Sequence, residues 1–453
     1  MSLKKFIISS CALLVLAVLS QSAIASTATF MVVADIHFDP FTTCGTEATC
    51  PLIQKLENTP ASGWQPILAA TVTSRQQYKQ DTNYVLLNSS LQAMQATALE
   101  THPQFIIVLG DLLAHKYDEK YKKYSADKST AGYQEFVKKT MTFLASELKN
   151  KFPDTDIYVT MGNNDSYSGD NVSEPNGAFF HDMSELWGSP IINPGSRSHV
   201  QKDFSTAGYY ALDIPQQPAI RLIVLNSNLF SPYAKTADGT ATLELDWFEQ
   251  QLKQARLHNQ HVLIAMHIPV GIDVFASLKH YPFKIVEMWK PEYTQRFQDD
   301  LENYSANITG ILAGHLHSDY FQVIETKSGA KIPMSNTPSI SPFNGNNPGF
   351  KVYTYHSESL VLRDYTTFYT SLPSLEWRQE YNFNAIYQRG NADRALVEGF
   401  EHLTAEGELA NAYQLYYDTT SNTDPIHHSY NPYYWCQLKA ITAADYQTCM
   451  ATQ

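Results

Sequence analysis

Short apolar runs that each end on Asp, Asn or His recur along most of this chain. They occupy residues 30–34, 105–109, 157–161, 262–266 and 308–313. Runs of this length are too short for typical helices and read as strands buried on both faces. Between them, residues 89–100, 133–148 and 243–258 carry helix-like patterns. The alternation over residues 27–370 predicts an α/β sandwich, two mixed β-sheets flanked by helices. Two stretches interrupt it. Residues 38–76 hold Cys44, Cys50, Pro51, Pro60, Gly63, Trp64 and Pro66, and residues 165–203 are rich in Gly, Asn, Ser and Pro. Both read as long loops, the kind that rims a site. Residues 392–412 are rich in Ala, Leu and Glu. The division expected is a main domain over 26–370 and a C-terminal helical subdomain over 371–453 packed on it.

The N-terminus changes the compartment. Lys4 and Lys5 precede an apolar stretch over residues 6–19, and Ala23-Ile24-Ala25 is a small-x-small cleavage site. Residues 1–25 therefore read as a secretory signal peptide, too short in its apolar part for a membrane span. No transmembrane anchor is expected, and the destination is secreted, periplasmic or extracellular, or a lysosomal-type lumen in a eukaryote. Cleavage removes Cys11 and leaves Cys44, Cys50, Cys436 and Cys449. An exported, even set favours disulfides, and of three connectivities the local one, Cys44–Cys50 with Cys436–Cys449, is expected. Asn88, Asn171, Asn303 and Asn307 sit in glycosylation sequons, which matter only in a eukaryotic host. The net charge of -13 disfavours a groove that tracks duplex nucleic acid. A monomer acting on a small molecule is the expectation that remains.

The residues that end the runs carry the chemistry. They are Asp35-Ile36-His37, Gly110-Asp111, Gly162-Asn163-Asn164-Asp165, His267 and Gly314-His315-Leu316-His317. Each alone is weak, since Asp-x-His is common and Gly-Asn-Asn-Asp suits a turn. Together, each after a strand, they suit two divalent cations about 3.5–4 Å apart, joined by a bridging carboxylate. Borderline cations such as zinc take imidazole nitrogen and carboxylate oxygen, and iron or manganese can fill the same shell. The i, i+2 spacing of Asp35 and His37, and of His315 and His317, predicts side chains on one side of an extended segment.

The set resembles the calcineurin-like metallophosphoesterases, whose signature runs D-x-H, G-D, G-N-H-[DE], H, G-H-x-H. More narrowly it is similar to the acid sphingomyelinase-like phosphodiesterases. Three features carry that likeness: His115 four residues after Asp111, the segments Thr337-Pro338-Ser339-Ile340-Ser341-Pro342-Phe343-Asn344 and Asn347-Pro348-Gly349-Phe350-Lys351-Val352-Tyr353, and the region of Asp364-Tyr365 and Tyr369. The resemblance spans residues 30–370. It implies one metal held by Asp35, His37, Asp111 and His317, and a second by Asp111, Asn163, His267 and His315. Asp111 would bridge, and a hydroxide between the ions would attack phosphorus. His115 matches a histidine that contacts the phosphate or protonates the leaving group.

One position departs from the signature. Asn164 stands where the family has histidine, and asparagine can donate a hydrogen bond to a phosphoryl oxygen but cannot deliver a proton. Either His115 serves as the acid alone, or the leaving group departs unprotonated. The resemblance implies a phosphodiesterase for soluble diesters or anhydrides, such as nucleotide di- and triphosphates and nucleotide-choline conjugates. Endopolyphosphatase is the alternative, because that group shares the Gly-Asn-Asn-Asp form. A sphingomyelin phosphodiesterase is another, weakened because only the leader is expected ahead of Asp35, with no saposin-like domain. A non-catalytic ligand-binding relic ranks last, since every expected ligand is present.

Overall fold

The computed structural model describes residues 27–188, 194–215, 217–236, 239–280, 284–388, 395–403, 407–421 and 431–452. The expected signal peptide lies outside them. Twelve strands are described: β1 (Thr27–Val33), β2 (Phe105–Val108), β3 (Asp156–Val159), β4 (Tyr210–Ile214), β5 (Gln217–Val224), β6 (His261–Ala265), β7 (Ile308–Ala313), β8 (Phe321–Glu325), β9 (Lys331–Asn336), β10 (Gly349–His356), β11 (Leu362–Tyr369) and β12 (Arg378–Asn382). They form two six-stranded sheets, in the orders β12-β11-β10-β1-β2-β3 and β4-β5-β6-β7-β9-β8.

Both sheets are mixed. In the first, β1, β2 and β3 are parallel and β10, β11 and β12 are antiparallel additions. In the second, β5, β6, β7 and β9 are parallel, and β4 and β8 pair antiparallel with their neighbours. Strands β2, inside the sheet, and β3, at its edge, are buried at every position, as strands under two covered faces require. Side chains join the inner faces. The Tyr210 hydroxyl of β4 donates to the Val159 carbonyl of β3, and the Tyr353 hydroxyl of β10 donates to Ser335 of β9. This is the expected sandwich, with helices such as Tyr84–Thr101, Thr130–Lys151 and Thr240–Leu257 flanking it and a helical C-terminal region.

Both expected long loops contain helices. Residues 38–76 contain helices Pro51–Glu57 and Trp64–Thr71, and residues 165–203 contain Ala178–Gly188 and most of Pro194–Ala207. Leu52, Ile53, Leu56, Trp64, Ile67 and Leu68 are buried, as are Phe179, Phe180, Met183 and Trp187. Their helical spacing was masked by Pro and Gly, yet Pro51 sits at a helix start, where its missing N–H costs nothing. Strand β12 lies beyond residue 370, so the first sheet draws its edge from the C-terminal quarter. Helices Leu396–Leu403 and Gly407–Tyr417 fall in the expected helical stretch.

The disulfides pair locally, Cys44 with Cys50 and Cys436 with Cys449. Among the described residues no helix is long and apolar enough to cross a membrane.

Candidate metal centre

The five motifs emerge from the C-terminal ends of β1, β2, β3, β6 and β7. Register makes them level: Met31 faces Ile106 and Ile106 faces Ile157, while Ala265 faces Leu312 in the other sheet. The β1–β2 pairing continues past the strands, with the N–H groups of Asp35 and His37 donating to the carbonyls of Gly110 and Asp111 at 3.1 and 2.8 Å. The Gly314 N–H donates to the His267 carbonyl at 3.0 Å, tying the second sheet's two loops together.

The side chains do not converge in the way the spacing suggested. Asp35, His37, Asp111, His315 and His317 all have positive φ, between 44° and 71°. Asp-x-His and His-x-His are therefore not extended segments, and alternation across a strand does not aim them. Left-handed backbone at each residue turns the chain just after its strand and throws the side chain inward. Such conformations cost on the order of 1–3 kcal/mol each and cluster where function demands them. Close approach also selects glycine at one point: a Cβ on Gly162 would meet Asp111 Oδ1 at 2.0 Å.

Two sets of ligand atoms result. Asp111, His37 and Asp35 lie together, with His37 Nε2 3.4 Å from Asp111 Oδ2 and 3.8 Å from Asp35 Oδ1. His317 Nε2 is 3.1 Å from His37 Nε2 and 3.5 Å from Asp35 Oδ1. In the second set His267 Nε2 is 3.2 Å from both Asp111 Oδ2 and Asn163 Oδ1, and His315 joins Asp111 and His267. Asp111 Oδ2 is the atom the two sets share.

Tautomers follow from the carbonyls behind the rings. His37 Nδ1 donates to the Leu113 carbonyl at 2.9 Å and His267 Nδ1 to the Leu109 carbonyl at 2.7 Å. Each Nε2 then offers a lone pair to the cluster, the usual outer arrangement of a metal-binding histidine. Lone pairs and carboxylate oxygens thus face one another at 3.1–3.4 Å, with His317 Nδ1 lacking a partner among the described residues. Two buried carboxylates and four imidazoles converge on one place, and among the described residues only the N–H groups of Asn164 and His315 donate to the carboxylates, a set that fits divalent cations.

The electrostatics carry the same strain. Burial is the largest influence and lowers His37 and His267, but the surrounding carboxylates together outweigh it, Asp111 first, then Asp35 and, for His37, Asp81, and carry both up to about 9. Burial and the neighbouring imidazoles push His315 down to about 3 and His317 well below its ordinary value. Burial opposes ionisation of Asp111, yet His267 and His37 hold it well below the carboxylate range. Asp165 is pushed up to about 7 by burial and Asp111. Its Oδ1 accepts the N–H groups of Leu112 and Leu113 and its Oδ2 that of Gly162, so it fastens the β2 and β3 loops together.

Asn164 is buried and committed to Asp111. Its backbone N–H donates to Oδ1 at 2.8 Å and its side-chain amide to Oδ2 at 2.7 Å. His115 lies at the edge of the cluster, its ring stacked on His37 at 4.1 Å and on Phe343 at 4.2 Å. Its Nδ1 bonds Asp81 Oδ1 at 2.8 Å.

Asp81 and Phe343 were given no role by the sequence reading. Phe343 lay in a segment singled out for resemblance, but no motif marked Asp81. Its one local signal is Asn83, which caps helix Tyr84–Thr101 and fixes the preceding turn. Long-range bridges from Phe38 to Thr82 and to Leu113 bring that turn beside His115.

Residues 28–319 match the family model described as calcineurin-like phosphoesterase. The chain is 24% identical to acid sphingomyelinase-like phosphodiesterase 3b of Mus musculus, over 93% of this chain and 89% of that one. It is 27% identical to sphingomyelinase phosphodiesterase D of Dictyostelium discoideum, over 82% and 80%. It is 23% identical to cyclic GMP-AMP phosphodiesterase SMPDL3A of Rattus norvegicus, over 69% and 72%.

Proposed function

Since the chain belongs to the calcineurin-like phosphoesterases and is a phosphoric ester hydrolase, we propose that it is an exported phosphodiesterase with two divalent ions, cleaving soluble nucleotide-type diesters and anhydrides. The observation that carries the two-ion reading is Asp111 Oδ2, 3.4 Å from His37 Nε2 and 3.2 Å from His267 Nε2. One carboxylate oxygen between two imidazole sets is what a bridging ligand must be. Asp35, His37, Asp111 and His317 would hold one ion, and Asp111, Asn163, His267 and His315 the other. Zinc suits the histidine-rich set best. When bound, the ions supply positive charge against the phosphoryl oxygens and make water a nucleophile near neutral pH.

The protein's own groups do the rest. The Leu113 and Leu109 carbonyls keep the proton of His37 and His267 on Nδ1, so neither ring reorients. Asn164 holds both oxygens of Asp111 and fixes the bridge. In that role it replaces no acid: the proton for the departing oxygen comes from His115, through the nitrogen that Asp81 leaves free. As the P–O bond to the leaving group breaks, that proton passes to the leaving oxygen.

Soluble substrates are favoured by the likeness to the nucleotide-acting relative named above. The Dictyostelium relative's name supports sphingomyelin as the second reading. The test is product release from ATP, a nucleotide-choline conjugate, a cyclic dinucleotide, polyphosphate and sphingomyelin at matched phosphorus. Turnover of a soluble nucleotide at least tenfold above the last two is expected. Preferential cleavage of sphingomyelin or of polyphosphate would overturn the substrate reading, and loss of none of these activities on exhaustive chelation would overturn the two-ion reading.

A further inference from the structure

We propose that Asp81 is a positioning residue for His115, holding one ring nitrogen so that the other faces the leaving group. The inference rests on the reading of His115 as the proton donor and adds to it the residue that aims it. Asp81 grips His115 twice. Its Oδ1 bonds the ring Nδ1 at 2.8 Å, and its Oδ2 accepts the His115 backbone N–H at 3.2 Å. Main chain and ring are thus held by one carboxylate, which leaves little rotational freedom about the bonds between them.

The carboxylate is itself anchored. Lys120 Nζ donates to Asp81 Oδ2 and to Asp39 Oδ2, both at 2.8 Å. Asp39 Oδ1 in turn accepts the Phe41 N–H at 2.8 Å. The Asp81 side chain is 1% exposed and that of His115 28% exposed, so the anchoring carboxylate is dry while the ring it holds is partly open to solvent. A buried carboxylate needs charged or N–H partners to persist, and Lys120 Nζ, the His115 ring and the His115 backbone N–H supply them to Asp81.

The plane of the ring is set separately. His37 covers one face at 4.1 Å and 14°, and Phe343 stacks against the ring at 4.2 Å and 21°. A nitrogen of His115 lies within 4.8 Å of ligand atoms of His37 and His317, beside the place where a bound phosphoryl group would sit. With Nδ1 committed to Asp81, Nε2 is the nitrogen left for the substrate. The arrangement has the logic of a carboxylate that fixes a catalytic imidazole's tautomer and orientation without itself exchanging a proton.

The experiment uses the full-length, zinc-loaded protein and two diesters, one with an alkoxide and one with a nitrophenyl leaving group. Asp81→Ala is expected to lower kcat on the alkoxide substrate by about 10–100-fold, a part of the roughly 10²–10⁴-fold that a positioned general acid supplies. The nitrophenyl substrate, which needs little protonation, should change by less than a few-fold. Asp81→Asn keeps an acceptor at the same place and should recover part of the loss. The spectroscopic arm is the ¹⁵N signal of the His115 ring, assigned by its disappearance in His115→Gln. In its acid form wild type should show protons on both nitrogens, with Nδ1–H held by Asp81 and Nε2–H left to give, and Asp81→Ala should lose the signature of the hydrogen-bonded Nδ1–H.

Equal slowing of both substrates by Asp81→Ala, with an unchanged ring signal, overturns the proposal. A ring signal that shifts while His115→Ala itself shows no leaving-group preference leaves Asp81 as the orienting group and overturns His115 as the acid. Should Asp81→Ala not fold, Asp81→Asn and the ring signal decide alone: an unaltered signal and unaltered leaving-group preference reject the proposal.

Discussion

Two buried polar clusters lie in the same sandwich, and they are completed in opposite ways. The first is the ligand cluster around Asp111. The second surrounds Lys351 and Asp319, both fully buried, 2.7 Å apart. Lys351 also donates to Ser335 Oγ and to the Asn336 carbonyl, and its ammonium lies over the Tyr365 ring at 4.1 Å. Asp319 Oδ2 accepts the hydroxyls of Thr367 and Tyr381. Opposite charges and hydroxyls thus close this network within the protein. The Asp111 cluster gathers two carboxylates and four imidazoles on left-handed backbone, with no Lys or Arg among them to balance the acids. A network that satisfies itself is a structural joint between sheets; one that does not is a place for something to bind.

Asp111→Asn is the strongest blow to this contrast. It should lower activity roughly 10³-fold or more, the several kcal/mol that metal chemistry supplies. Bound metal should fall from about two ions per chain, read by elemental analysis, while the melting curve stays cooperative. Retained activity would erase the difference between the clusters.

Lys351→Met strikes the other cluster. Leaving Asp319 buried and unpaired should cost about 3–5 kcal/mol of stability in denaturant unfolding. Metal content and the leaving-group preference should remain those of the wild type. Lost metal with unchanged stability would reverse the assignments.

The pH response separates the clusters more gently. In chelated protein His37 and His267 are held up to about 9, above the ordinary 6.5. A group raised in the folded state contributes stability that is fully present below its unfolded value and lost as pH climbs through the folded one. Chelated protein should therefore lose stability between about pH 6.5 and 9, while metal affinity rises because the competing protons leave. The metal-loaded protein should stay flat over that window, measured by thermal melts with and without chelator. Equal slopes in both states would show that the rings are not ligands.

The smallest effect belongs to Asn164. Asn164→Ala removes the amide bond to Asp111 and should weaken metal affinity by about 10–100-fold, as loss of an outer partner does. A titration with a competing chelator reads it. Unchanged affinity would mean that the amide serves substrate instead.

Much of the centre was legible beforehand because divalent cations restrict the residue types and because ligands in parallel α/β sheets gather at strand C-termini. Five apolar runs ending in Asp, Asn or His therefore named the side chains that converge. The short cysteine spacings named both disulfides. Local pattern failed where two signals compete: Pro51 and Gly63 suggested loops, while Leu52, Leu56, Trp64 and Leu68 had the spacing of buried helices.

What the sequence determined by itself was chemical identity: which atoms could hold metal, and that they follow strands. The tertiary structure decided their aim. Left-handed backbone at Asp35, His37, Asp111, His315 and His317 has no sequence signature, because it persists only where surrounding packing overrides its local cost. Asp81 gains its meaning from Thr82 pairing with Phe38, and Lys351 from strand β10 lying against β9, contacts between residues far apart in sequence. Hydrophobic periodicity reports which face of an element is buried; it carries no information about which distant polar group will meet it there.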